Sequence, residues 1–251
     1  MRLLYLLVDE TDPAPERVAL RRTQGQQMVP AGWTFQVDSI RIGPEFYEEN
    51  AVGHLLAGPG ILHAVLRHQD DSDAVIIACF SDPALAAARA VSRLPVVGPG
   101  EASLLLAQLT ARTFGVITIL DSTVPQVEES VAALGLAGRC VGIEVMAMTV
   151  SGISGDTAAA TATLVETGRR LADRGAQAIV LGCMSFGFGP FAAVAEQELG
   201  VPVINPLRAS IAALQATQTL GTRLGPPAPV LERPDSLHRF LHRLERDVAP
   251  V

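Results

Sequence analysis

The chain has 251 residues, a formal net charge of -7 and 49% hydrophobic residues, which is enough for one large domain or two smaller ones. Its apolar runs are far shorter than the roughly 18 residues of a membrane-spanning helix, and its acidic balance argues against nucleic acid as a partner. All 19 basic residues are arginines, which excludes Schiff-base chemistry on a lysine and a Walker A loop.

The first apolar run meets acidic residues at Asp9 without a small-residue cleavage site, so we expect no signal peptide and a cytoplasmic protein. Short β-branched runs then alternate with longer segments rich in Ala, Leu, Arg and Glu. The predicted strands cover 2–8, 34–40, 73–78, 95–97, 114–120, 140–148, 177–182 and 201–204. The predicted helices cover 14–29, 50–68, 82–93, 101–112, 124–134, 156–174, 188–199 and 206–219. This alternation predicts an α/β fold with a mostly parallel sheet.

The chain also repeats itself. The segment 73–81, with Cys79, matches 177–185, with Cys183; 94–99 matches 201–206, and 8–13 matches 120–125. The three matches occur in the same order and at strand ends, so we predict a duplicated α/β unit. The small differences in offset indicate loop insertions and deletions, which loops tolerate.

The repeat predicts two pseudo-symmetric parallel-sheet α/β halves with the site in the cleft between them. We assign 1–100 and 206–220 to the first lobe, 101–205 to the second, and 221–251 to a Pro-rich linker and a C-terminal helix. That helix is predicted from 236 to 248 and packs on the body or on a second subunit. Its predicted apolar face consists of Leu237, Phe240, Leu241 and Leu244.

Cys79 and Cys183 each follow an apolar strand and precede a helix, where sites lie in open parallel sheets. Two thiols that face each other suit racemisation, in which one group removes a proton from one face of a carbon and the other returns one to the opposite face. Backbone N–H groups around Ser81 and Ser185 could hold a substrate carboxylate or enolate. Taken singly, each cysteine is better explained as a small buried residue than as a catalytic one; the matched positions reverse this balance and favour function.

The segments Ala-Cys-Phe-Ser-Asp-Pro at 78–83 and Leu-Gly-Cys-Met at 181–184, each followed by a Pro-Val strand, resemble the aspartate/glutamate/hydantoin racemase superfamily, and most of all its hydantoin and allantoin branch. The resemblance covers roughly residues 1–220. It implies two α/β halves, frequent oligomers and cofactor-independent racemisation by two cysteines. We therefore expect no cofactor, a small-molecule substrate and a homo-oligomer.

Carried over residue by residue, the resemblance makes Cys79 and Cys183 the catalytic acid/base pair. It places the substrate-binding positions at Asp9, Phe80, Ser81, Thr118, Met184 and Ser185. Two departures bear on the substrate. The hydantoin branch usually has an Asn-Pro-Asn-Thr segment where this chain has Val-Asp-Glu-Thr at 8–11, and the second threonine of a family pair is here an isoleucine, Ile117 or Ile119. Asp9 is equally explained as a cap.

The leading hypothesis is a racemase or epimerase of a small carbonyl-activated carbon acid, such as a 5-substituted hydantoin or related ureide, with an amino-acid derivative as the alternative substrate. The alternatives on the same scaffold are a maleate-isomerase-like cysteine isomerase, an arylmalonate-type decarboxylase and a pathway-specific biosynthetic enzyme. From another class, a two-lobed binding or redox-sensing protein would pair the two thiols in a disulfide.

Several other signals receive ordinary interpretations. Cys140 has no counterpart in the repeat and is predicted to be structural. His238 and His242 have the spacing of a helical metal pair, but no third ligand is evident in the sequence, so we predict no metal site. Glu48 and Glu49 are predicted to be solvated helix-end charges, and 151–155 is predicted to be a loop.

Overall fold

A computed structural model describes residues 1–9, 11–43, 49–222 and 234–248. The chain divides into two compact units. Unit 1 consists of Met1–Gly98 and Ala213–Val251, and unit 2 of Pro99–Ala212. The second boundary falls inside a helix, whereas the sequence analysis places it before that helix, at 205/206. The Pro-rich part of the predicted linker, 225–229, lies outside the described residues.

Unit 1 contains a four-stranded parallel sheet. Its elements in chain order are β1 (Arg2–Leu7), α1 (Pro15–Gln26), β2 (Thr34–Ser39), α2 (Ala51–Arg67), β3 (Ala74–Ile77), α3 (Leu85–Val91) and β4 (Val96–Val97). The strand order is β2-β1-β3-β4. The central strand β3 is buried along its whole length, as its unbroken apolar run predicts.

Unit 2 repeats this arrangement. Its elements are α4 (Pro99–Thr110), β5 (Phe114–Thr118), a 3₁₀ turn (Asp121–Thr123), α5 (Val124–Ala133), β6 (Cys140–Val145), α6 (Val150–Gly155), α7 (Thr157–Asp173), β7 (Ile179–Leu181), a second 3₁₀ turn (Met184–Gly187), α8 (Phe191–Leu199) and β8 (Val203–Ile204). Helix α9 (Pro206–Leu220) begins in unit 2 and ends in unit 1. The order β6-β5-β7-β8 is that of unit 1 with each strand replaced by its counterpart. The predicted pair of parallel-sheet α/β halves is therefore confirmed.

The duplication extends to individual side chains. The hydroxyl of Ser103 donates to the carbonyl of Pro99 at 2.6 Å, and the hydroxyl of Ser210 donates to that of Pro206 at 2.7 Å. Both serines are fully buried in the first turns of matching helices. A buried hydroxyl needs a hydrogen-bond partner, and both copies find it in the same place, one turn back on the helix.

The sequence prediction for residues 151–155 is wrong. The segment predicted as a loop at 151–155 is helix α6. The hydroxyl of Thr149 caps it by accepting the amide of Gly152 at 3.1 Å, and Ile153 is buried against the core of unit 2. Cap and burial outweigh the poor helix propensity of glycine.

The predicted C-terminal helix is present as α10 (Pro234–Val248), and it packs against α2 within unit 1. Leu241 is buried, whereas Phe240 is 45% exposed and does not belong to the packed face. Across the described residues, we find no helix both long and apolar enough to cross a membrane.

Candidate active site

Cys79 lies just beyond the carboxyl end of β3, in the loop that leads to α3. Its side chain is half-buried against the apolar core of unit 1. The loop turns tightly, because the amide of Asp82 donates to the carbonyl of Cys79 at 3.2 Å. Asp82 and Ala84 adopt positive φ angles of 53° each, a conformation that L-residues seldom adopt. The sharp turn keeps the thiol at the strand end.

Cys183 occupies the matching position in unit 2. It follows β7, caps the 3₁₀ turn Met184–Gly187 and is 9% exposed, at the edge of that unit's core. The amide of Phe186 donates to the carbonyl of Cys183 at 3.2 Å, which repeats the turn found after Cys79. None of the cysteines of the described chain forms a disulfide.

Both cysteines are held by the same strand register. The amide of Ala78 donates to the carbonyl of Leu6 at 2.8 Å, and the amide of Gly182 donates to that of Ile117 at 2.7 Å. Each bond extends the ladder between the two central strands of its sheet by one residue, immediately before the cysteine. The two thiols are thus equivalent positions of one repeated unit.

The loop after each cysteine is supported from the end of the fourth strand. The side-chain amide of the buried Asn205 donates to the carbonyls of Phe186 and Gly187, both at 3.1 Å, and its oxygen caps α9. Its counterpart in unit 1 is Gly98, where an added Cβ would lie 2.5 Å from the carboxyl carbon of Asp82. Neither Asn205 nor Gly98 was among the predicted site residues, although the matched segments 94–99 and 201–206 align the two and could have identified them.

Asp9 follows β1, which neighbours β3 in the sheet. Its carboxylate forms an ion pair with Arg17 of α1, and both side chains are less than one-third exposed. Burial, and then the negative charge of Asp9, raise the pKa of Glu49 to about 7. The prediction of a solvated Glu49 is therefore wrong, because this carboxyl is largely withdrawn from water beside a second acidic group; Glu48 lies outside the described residues.

Thr118 ends β5 and is fully buried. Its hydroxyl lies 2.5 Å from that of Thr123, which in turn donates to the carbonyl of Leu120 at 2.7 Å. Because Thr123 has one hydroxyl hydrogen and gives it to Leu120, Thr118 is the donor between the two threonines. The partner hydroxyl thus comes from the following turn, and the matched segments 8–13 and 120–125 are the signal that could have identified Thr123.

The four other predicted substrate-binding residues directly follow the two cysteines. Phe80 is 3% exposed and Met184 is 5% exposed, so each supplies an apolar wall to its loop. Ser81 is half-buried and Ser185 is 9% exposed. Within the described residues, the amides of both serines lack a backbone acceptor, which leaves them available to an anion.

Cys140 is placed differently. It is the first residue of β6, where its thiol donates weakly to the carbonyl of Gly142 at 3.5 Å. Burial raises the pKa of this thiol. A thiol with a raised pKa is a poor nucleophile and a poor base at neutral pH, which fits the predicted structural role.

Each unit therefore presents one cysteine at the carboxyl end of its sheet. In unit 1 the Asp9–Arg17 pair and Glu49 lie at the same edge of the sheet as the thiol of Cys79. In unit 2 the Thr118–Thr123 hydroxyl pair lies at the same edge of the sheet as the thiol of Cys183. Thiols at such positions can act as general acids or bases, and adjacent backbone amides can stabilise a developing oxyanion.

Comparison with known proteins identifies the family. The Asp/Glu/Hydantoin racemase family model matches residues 20–214. A hydantoin racemase from Pseudomonas sp. (strain NS671) is 34% identical over 191 residues, which cover 74% of each chain. A hydantoin racemase from Paenarthrobacter aurescens is 31% identical over 224 residues, 88% of this chain and 92% of its own.

The fold comparison agrees. The structure of the allantoin racemase from Klebsiella pneumoniae superposes with a TM-score of 0.78 at 24% identity, over 89% of this chain and 90% of the other. At that identity the likeness concerns the fold. The family match and the curated relatives carry the assignment: the chain belongs to the Asp/Glu/hydantoin racemase family and is an isomerase of the racemase class.

Proposed function

We propose that the protein racemises a carbonyl-activated carbon acid, with a 5-substituted hydantoin or a related ureide as its substrate, by proton transfer between Cys79 and Cys183. The observation that carries the proposal is the equivalence of the two thiols. Each follows the third strand of its sheet, after the same ladder bond and before the same turn. A reaction that treats the two faces of a carbon alike needs two equivalent groups of this kind. The identity to hydantoin racemases favours the substrate class.

In the proposed reaction one cysteine is a thiolate and the other a thiol. The thiolate takes the α-proton, and the electrons of the C–H bond move onto the adjacent carbonyl to form an enolate. The thiol on the opposite face then gives its proton to the carbon, the carbonyl re-forms, and the former thiol becomes the thiolate. The mirror-image substrate is turned over by the same steps with the roles exchanged. No cofactor is needed, because the ring carbonyl accepts the charge.

The other predicted residues have supporting roles. The amides and hydroxyls of Ser81 and Ser185 bind the ring oxygens, and the buried hydroxyl pair ending at Thr118 lies at the edge of the same sheet as Cys183. Phe80 and Met184 exclude water beside the thiols, which strengthens electrostatic interactions there. Asp9, held by Arg17, selects for a substrate that hydrogen-bonds to a carboxylate, such as a ring N–H, and against a free carboxylate.

Proton exchange in D₂O tests the proposal. The two enantiomers of a 5-substituted hydantoin, allantoin, aspartate, glutamate and maleate are incubated with enzyme, and the α-proton signal and the optical rotation are followed. For the wild type we expect loss of both signals with the hydantoins. Cys79→Ser and Cys183→Ser should each abolish racemisation, because each lacks one acid/base group.

The two single variants should differ in deuterium uptake. Each retains a base on one face only, so we expect each to exchange the α-proton of one enantiomer without inversion, and the two variants to prefer opposite enantiomers. Cys140→Ser is the matched control and should keep wild-type activity. Racemisation that survives either active-site variant would refute the two-thiol mechanism. Turnover of maleate, or carbon dioxide release from an arylmalonate, would replace it with the isomerase or the decarboxylase alternative.

A further inference from the structure

A second cluster of reactive side chains lies in unit 1, between α2 and α10. It consists of His63 on α2 and of His242 and Glu245, one turn apart on α10. One nitrogen of each histidine and one carboxylate oxygen lie within 4.8 Å of one another. His242 and Glu245 are three residues apart on α10, and the packing of α10 on α2 brings His63 to them.

The separations within this cluster are those of metal ligands. The Nε2 atom of His63 lies 3.6 Å from Oε2 of Glu245, and the Nδ1 atom of His242 lies 3.5 Å from the same oxygen. A charge-assisted hydrogen bond would be shorter, about 2.7–2.9 Å. Ligands at 2.0–2.1 Å around a tetrahedral zinc ion are about 3.3–3.4 Å apart. The two nitrogen–oxygen separations therefore match those of ligands that share one ion, and the two imidazole nitrogens lie within 4.8 Å of each other.

The burial of His63 is an independent observation. Its side chain is 6% exposed and is aimed at Glu245 through Nε2, while its Nδ1 atom has no hydrogen-bond partner among the described residues. Burial is the main cause that lowers the pKa of His63. Because Nε2 lies 3.6 Å from Glu245, beyond hydrogen-bond distance, a cation bound at Nε2 would give the buried ring a partner on the side that faces the cluster.

The charges around the cluster bear on the kind of ion. Glu245 supplies one negative charge through Oε2, while its other oxygen, Oε1, lies 4.0 Å from Nη1 of Arg41. The side chain of Arg41 is 56% exposed, so it can stay in solvent when a cation binds. Two imidazoles and one carboxylate suit zinc, which takes a water molecule as its fourth ligand in sites with three protein ligands.

We infer that His63, His242 and Glu245 form a Zn²⁺ site that fastens the C-terminal helix α10 to α2. The site is separate from the thiols and independent of the proposed racemisation. Zinc bound there stabilises unit 1, because the ligands come from segments about 180 residues apart in the chain and meet only in the folded state.

The test is a metal titration of the full chain after dialysis against a chelator. Zn²⁺ is titrated by calorimetry and Co²⁺ by visible absorption, in the wild type and in His242→Gln and Glu245→Gln. His238→Gln is the matched control, since it removes an exposed histidine one turn away on the same helix. We expect one equivalent of metal, a tetrahedral cobalt spectrum without a thiolate charge-transfer band, and a rise in melting temperature with zinc.

Loss of a ligand should weaken binding at least about tenfold, the lower end of the effect of losing even an outer-shell partner. His242→Gln and Glu245→Gln should show that loss and no zinc-dependent rise in melting temperature, whereas His238→Gln should match the wild type. No stoichiometric binding by the wild type would overturn the inference. So would a thiolate band, which would place the metal on the cysteines, or equal losses in His238→Gln and His242→Gln with none in Glu245→Gln, which would assign it to the exposed histidine pair.

Discussion

The close approach of the chain at Gly182 offers a direct test of how Cys183 is positioned. A Cβ atom added to Gly182 would lie 2.8 Å from the carbonyl oxygen of Ile117 and 3.2 Å from Cγ1 of Val116. Ordinary contact begins at 3.4 Å, so Gly182→Ala must move β7 away from β5 by about 0.6 Å. The same carbonyl accepts the amide of Gly182 at 2.7 Å, and the shift lengthens that bond.

The expected cost follows from these two effects. Overpacking of a buried site costs about 1–3 kcal/mol, and a weakened hydrogen bond adds about 1 kcal/mol. We therefore expect Gly182→Ala to lower the free energy of unfolding by about 2–4 kcal/mol. Because the next residue is Cys183, we also expect a loss of about tenfold in kcat/KM, since displacement of a reacting group by a fraction of an ångström is costly.

Urea unfolding followed by far-ultraviolet circular dichroism measures the change. Gly138→Ala is the matched control, because it lies in the turn before β6, where an added Cβ meets no atom within 4 Å. Fluorescence of the single tryptophan, Trp33, reports unit 1 separately. Free energies of unfolding of Gly182→Ala and Gly138→Ala that agree within about 0.5 kcal/mol would refute the predicted effect of the close approach, because surface substitutions commonly change stability by that amount.

Three further predictions concern other parts of the chain. Thr123→Val should destabilise the protein by about 1–3 kcal/mol in urea unfolding, because the buried hydroxyl of Thr118 loses its partner, while the carbonyl of Leu120 keeps the backbone amide of residue 123 as a donor. An unchanged midpoint would contradict the hydrogen bond between the two threonines. The raised pKa of Glu49 means that the folded state holds its proton more tightly than the unfolded state, so wild-type stability should fall as the pH rises from about 4.5 to about 7. The melting temperature of Glu49→Gln should vary less over that range, and melting temperatures of the two proteins that change in parallel with pH would argue against the raised pKa. The hydrogen bond to Asp38 raises the pKa of His68, so His68→Gln should cost about 1–2 kcal/mol below pH 6.5 and progressively less as the pH rises above it. A cost that does not change with pH would contradict the raised pKa of His68.

Much of the fold follows from local patterns in the sequence. Strands such as β3 and β7 are short apolar runs rich in β-branched residues, and buried parallel strands have this composition whatever surrounds them. The internal repeat then predicts that the two halves share one strand order, because two copies of one sequence adopt one topology, while the order itself comes from the structure. Helix α6 was missed because its cap and its buried Ile153 outweigh two glycines only when the core of unit 2 is present.

The two cysteines could be found from the sequence for the same reason. Their places at matching strand ends are a property of the repeat, and they need no knowledge of distant contacts. The groups that support them depend on contacts between segments far apart. Asn205 reaches the loop after Cys183 from the end of β8, and Glu49 is partly buried near Asp9, 40 residues earlier in the chain. A single sequence does not show which polar residue becomes buried.

The sequence by itself determined the α/β class, the duplication and the positions of the two thiols, because strand composition, helix periodicity and repeat matches are read within short windows. Tertiary structure alone decided the hydroxyl partner of Thr118, the raised pKa of Glu49 and the meeting of His63 with His242 and Glu245. The physical reason is that burial and ligand geometry arise when distant segments pack, and their free energies depend on distances that no local pattern contains.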